Sequence, residues 1–120
     1  MYDLPQITVA GTPAEMGRAY GNACAPLIRG FIKERFRAAR AYLWQLGRRD
    51  MDALTAAGRA CLDLLEGWDE PSWVEHRATA TAAGVDPVDL YVAGNYTDVR
   101  DIVAYADATS RSVHPKDPPV

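Results

Sequence analysis

Thr12-Pro13-Ala14-Glu15 is the feature that most restricts how this chain can fold. A threonine, a proline at the first helical position and a glutamate at the third make a capping box with a proline start. The threonine hydroxyl and the glutamate carboxylate each satisfy a backbone N–H that the first turn of a helix leaves unpaired. The helix opened there reads on to about Leu46 and stops at Gly47. Its apolar positions include Met16, Tyr20, Leu27, Phe31, Leu43 and Trp44. Inside it, Gly17 and Gly21 lie on one face, each costing about 1 kcal/mol relative to alanine. Cys24 and Ala25 continue that face, and the small-residue stripe predicts another backbone packed hard against it.

The rest of the chain is also largely helical. A second helix is expected from near Asp50 to near Gly67, where Leu54, Ala57, Cys61, Leu64 and Leu65 recur at helical spacing. A third is expected from Ser72, with Glu75 completing a second capping box, to Gly84. Asp86-Pro87-Val88-Asp89 repeats the start signal for a fourth, running towards Ile102 with an uncertain boundary at Gly94-Asn95. Residues 12–105 are therefore read as mainly helical and 106–120 as an extended tail. Before the first helix, Gln6 to Ala10 has the β-branched alternation of a short strand. A lone strand cannot satisfy its own edges, so it calls for sheet partners that another polypeptide would supply.

At 120 residues the chain can build one modest core. Thirteen Lys and Arg against sixteen Asp and Glu give a net charge of -3, which argues against a nucleic-acid-binding surface or a helical transcription regulator. No apolar run is long enough to span a bilayer and no secretory signal opens the chain, so a cytoplasmic setting and no membrane partner are expected. Cys24 and Cys61 are too few for a disulfide framework and read as small buried hydrophobes. Tyr42, Trp44, Trp68 and Trp73 read as packing area. His76 and His114 lack a third ligand at useful spacing, so neither a metal nor any other cofactor is expected; Glu75-His76 reads as a solvated pair.

No nucleophile turn and no phosphate loop is present, and by its own residues the chain holds no complete catalytic set. The richest polar stretch is Gly94 to Asp101. Asn95, Tyr96, Asp98 and Arg100 are the candidate substrate-binding residues, because such a cluster can line a pocket and orient a polar ligand. The competing reading is a solvated helix face with local Asp–Arg pairs.

The run I-T-V-A-G-T-P-A-E-M-G-R-A-Y-G, Ile7 to Gly21, resembles the N-terminal segment of the isopenicillin-N (acyl-coenzyme A:6-aminopenicillanic acid) acyltransferase family, which includes β-alanyl-amine hydrolases. Leu64 to Pro71 and Gly84 to Asn95 look like later segments of the same family, and the resemblance covers roughly residues 6–102. It implies an α+β fold in which this mostly helical α chain completes an αββα N-terminal-nucleophile (Ntn) hydrolase sandwich with a β chain from the same precursor. It further implies autoproteolysis just before a cysteine, which places the cleavage site at Val120 and makes the protein a heterodimer. The orphan strand and the small-residue stripe would both be completed by the β chain.

The implied activity is that of a cysteine amidohydrolase or acyltransferase acting on a small-molecule amide or thioester, as in natural-product biosynthesis. The β-chain cysteine, with its own freed α-amine as base, would form a thioester acyl-enzyme. Water or an amine would resolve it, and no catalytic residue is expected in this chain. Asn95 matches the family's asparagine, whereas Thr97 stands where an arginine is usual, with Arg100 one turn on. That departure leaves an aminoacyl amine or similar small amide as open as the acid-bearing substrates of the penicillin branch. The alternative is a free-standing helical protein-interaction module that uses the stripe and the 95–101 cluster as its partner surface.

Overall fold

The computed structural model describes residues 6–48 and 51–112, with 107–112 described by backbone alone. Five helices follow in order: α1 (Pro13–Gln45), α2 (Asp52–Trp68), α3 (Glu70–Ala83), α4 (Pro87–Gly94) and α5 (Tyr96–Ser112).

Helix α1 begins as its sequence dictates. Glu15 N donates to Thr12 Oγ1 at 3.2 Å, and Thr12 N donates back to Glu15 Oε1 at 3.3 Å. The hydrogen bonds from the Thr12 hydroxyl and backbone hold the Glu15 carboxyl below its ordinary range. The helix runs through Pro26, whose missing N–H leaves the Asn22 carbonyl without its usual donor. It ends in a Schellman motif: Gly47 takes φ +78°, Gly47 N donates to Trp44 O and Arg48 N to Leu43 O. Helix α3 ends the same way at Gly84, with Val85 N on Ala80 O.

Helix α3 starts one turn earlier than expected. Asp69, the single residue between α2 and α3, accepts from Ser72 N at 3.2 Å and from Ser72 Oγ at 2.7 Å. Asp69 is therefore the cap, Ser72 lies in the first turn, and the capping box expected between Ser72 and Glu75 is absent. Asp86 caps α4 through Val88 N and Asp89 N, as its sequence signals. The fourth helix does not reach Ile102. It stops at Gly94, Asn95 bridges the break, and α5 begins at Tyr96. Residues 106–112 are helical rather than extended, because Asp107 to Ser112 simply continue the hydrogen bonding of α5. The remainder of the expected tail, with His114 and the cleavage position Val120, lies outside the described residues.

Gln6 to Ala10 is not a strand, and no strand occurs among the described residues. An isolated β-branched run has no ladder to join here. The architecture of this chain is thus mostly helical.

The small-residue stripe is filled from within the chain. A Cβ at Gly17 would overlap the Glu75 carbonyl oxygen and lie 2.9 Å from Ala78 Cβ. One at Gly21 would overlap the Thr79 carbonyl oxygen and lie 2.8 Å from Ala82 Cβ. Helices α1 and α3 therefore run side by side in the same direction at backbone contact, so the stripe requires no second polypeptide. Arg29 Nη1 adds a 3.0 Å bond to Ala83 O at the C-terminal end of α3, where a cation is favoured.

Two apolar clusters follow from this frame. Cys24, Ile28, Ile32, Ala83 and Ala93 pack between α1, α3 and α4. Ala39, Leu43, Leu54, Leu62, Val88, Val92 and Val99 join α1, α2, α4 and α5, and Phe36 touches both clusters. Gly58 admits Val92, whose methyl occupies the space a Cβ would need. Trp44 and Trp68 contribute little packing area: they are 60% and 84% exposed.

Candidate functional site

The break at Asn95 positions the polar stretch. Asn95 N and Nδ2 both donate to Tyr91 O, at 2.9 and 3.1 Å, so the side-chain nitrogen serves the end of α4. Asn95, Tyr96 and Asp98 then line one small cleft of about 150 Å³, together with Thr97 and with Arg35 from α1. Arg100 does not line it. One turn along α5, its guanidinium lies 5.5 Å from the Tyr42 ring centre and 5.8 Å from that of Tyr96, and 3.5 Å from the Asp101 carboxylate. Burial pushes the Tyr96 phenol up, opposed by the Arg100 charge. Three of the four candidate residues are therefore brought together, and the fourth is held between two aromatic rings.

A larger groove of about 590 Å³ lies beside this cleft, with Asn95 at the edge of both. Cys24 and Ile28 of α1 and Thr79 of α3 are its buried residues. Tyr20, Leu27 and Phe31, at 43%, 63% and 40% exposed, stand along the α1 side. Ser72, Glu75 and His76 stand along α3, Leu90 and Gly94 on α4, and Ile7 from the segment before α1 completes the lining. Its size and its mixture of apolar walls with a few polar groups are those of a ligand site. Thr79 adds no free donor, since Oγ1 donates to Glu75 O at 2.8 Å.

His76 is half-buried, not one of a solvated pair. Its Nε2 lies 2.7 Å from Pro87 O, and a carbonyl only accepts, so Nε2 donates this bond. Its ring meets Tyr91 edge-on at 5.9 Å. Tyr91 in turn has its phenol pushed up by burial and by the neighbouring Cys61 thiol. Cys24 is buried in the core and Cys61 is half-buried; both are free thiols.

The groove was not among the candidate sites read from sequence. Tyr20, Cys24, Leu27, Ile28 and Phe31 form an apolar arc of about 100° on α1, the ordinary width of one buried helix face, so the sequence alone does not mark it as a groove. Among the described residues, no three His, Cys, Asp or Glu side chains are grouped to hold a metal ion. Among them also, no helix is long and apolar enough to cross a membrane. Comparison with protein-family models, curated proteins and solved structures finds no match to this chain.

Proposed function

We propose that this chain is the helical α subunit of a self-cleaving cysteine amidohydrolase or acyltransferase, whose nucleophilic cysteine opens a partner β chain. The observation that carries the reading is the unfinished side of the molecule. Ile7, Tyr20, Leu27 and Phe31 leave an apolar rim in water along one groove, next to residues 6–10, which form neither helix nor strand. A β chain laid there would pair with residues 6–10 and roof the groove, turning an open trough into an enclosed substrate pocket. The resemblance of Ile7 to Gly21 to the Ntn acyltransferase family supplies the chemistry. A thiolate attacks the amide carbonyl, the amine leaves with a proton from the nucleophile's own ammonium, and water or a second amine releases the acyl group. The α chain walls the pocket through α1, α3 and Asn95.

Incubation of the natural gene product with an activated acyl ester, followed by peptide mass mapping, tests this. The acyl group is expected on the first residue of a second chain. Acylation confined to Cys24 or Cys61, or none, contradicts the reading.

The free-standing interaction module is the second reading, favoured by one observation: Gly17 and Gly21 are fully packed by α3 of the same chain, so the helical core is self-sufficient at that seam.

A further inference from the structure

We propose that the groove between α1, α3 and α4 binds a protonated hydrophobic amine, with the ammonium at the Glu75–Tyr20 end and the apolar body along Leu27, Ile28 and Phe31. The proposal concerns this chain's own residues and does not depend on the two-chain reading. The argument is one of charge and shape. Among the described residues no lysine or arginine lines the groove, and Glu75 carries the one fixed charge of its lining. The Glu75 carboxylate makes no ion pair and no hydrogen bond among the described residues. An unpaired carboxylate beside apolar walls favours a cation that brings its own apolar surface.

The packing of α1 on α3 fixes which end is which. Gly17 and Gly21 face Glu75 and Thr79, so Tyr20, 43% exposed, sits at the Glu75 end, where an aromatic ring favours a cation. Phe31 is at the other end, and there its ring already carries the Arg35 guanidinium at 5.2 Å. A positive charge is thus repelled from the Phe31 end and attracted at the Glu75 end. From Tyr20 to Phe31 the helix rises roughly 16 Å, room for an extended alkyl chain or an arylalkyl group. Of the polar groups in the lining, Thr79 Oγ1 is taken up by its own helix through Glu75 O, Ser72 Oγ by Asp69 and Asn95 Nδ2 by Tyr91 O.

The test is a calorimetric titration of the purified protein with decylamine, decanol and decanoate, each kept below its aggregation threshold. Decylamine is expected to bind tightest and decanoate weakest, and added salt is expected to weaken decylamine without affecting decanol. Glu75→Gln is expected to weaken decylamine about tenfold and leave decanol unchanged. Leu27→Asn, at an exposed position, is expected to weaken both alike. Decanoate binding as tightly as decylamine, salt-independent decylamine binding, or an unchanged decylamine affinity in a folded Glu75→Gln protein overturns the proposal. So does the absence of binding by all three probes, the result expected of a groove already filled by a second polypeptide.

Discussion

Gly17 lies against the backbone of Glu75 so closely that a single methyl group at position 17 would overlap the Glu75 carbonyl oxygen. The same relation recurs one turn on between Gly21 and Thr79. These contacts fix the register of α1 on α3, and with it the groove that opens between α1, α3 and α4.

Gly17→Ala and Gly21→Ala are therefore expected to destabilise the protein by about 1–3 kcal/mol each, because backbone cannot yield as a side-chain tip can. Gly30, in the same helix with open space around it, gives the opposite sign. Gly30→Ala is expected to stabilise by about 0.5–1 kcal/mol through helix propensity alone. Urea denaturation of the three variants measures both effects.

The Thr12–Glu15 box predicts an acid-sensitive start to α1. Thr12→Ala is expected to cost about 1 kcal/mol. The Glu15 carboxyl is held below its ordinary value of 4.5 by its bonds to Thr12, so the folded state favours the ionised form. That contribution is complete above the ordinary value and is lost as pH falls through the lower folded-state value. Glu15→Gln should therefore flatten the acid limb of the stability profile below about pH 4.5, as measured by thermal unfolding across pH.

His76 ties α3 to the start of α4 through Pro87 O. His76→Phe keeps an aromatic ring against Tyr91 and removes only the hydrogen bond, with an expected loss of about 1 kcal/mol. A loss no greater than that of an exposed-site control would mean the bond adds nothing.

Asp98 and Arg100 separate chemistry from scaffolding. Asp98 is exposed at the small cleft, so Asp98→Ala should change stability by less than about 0.5 kcal/mol. Arg100→Ala removes two ring contacts and should cost about 1–2 kcal/mol. Under the proposed function, Asp98→Ala or Arg100→Ala should alter turnover or autocleavage more than Arg48→Ala or Arg49→Ala. Equal effects would assign the cluster to the surface.

What the sequence made legible was whatever depends on neighbours a few positions away. The Thr12 and Asp86 caps, and the glycine stops at 47 and 84, are local chemistry and stand where the residues indicate. At the third helix the sequence reading settles on Ser72 and passes over Asp69 three residues earlier, whose carboxylate takes the Ser72 N–H and hydroxyl and so becomes the cap. The break at Asn95 falls at the Gly94-Asn95 boundary the sequence leaves open, where the Asn95 amide caps α4 by donating to Tyr91 O. The Gly17–Gly21 stripe announced a close approach without saying whose backbone would come, because a missing side chain marks a space and not its occupant. The groove escaped for a related reason. Tyr20, Leu27 and Phe31 have helical spacing that fits a core, and only the placement of α3 shows that they stand at its edge.

Native mass spectrometry of the intact product of the natural gene, followed by sequencing of each polypeptide's first residues, tests the central claim most directly. The account predicts a particle that releases two chains, this one and a longer chain that opens with cysteine. A particle containing only this chain, or a single uncleaved polypeptide with no new N-terminal cysteine, would contradict it.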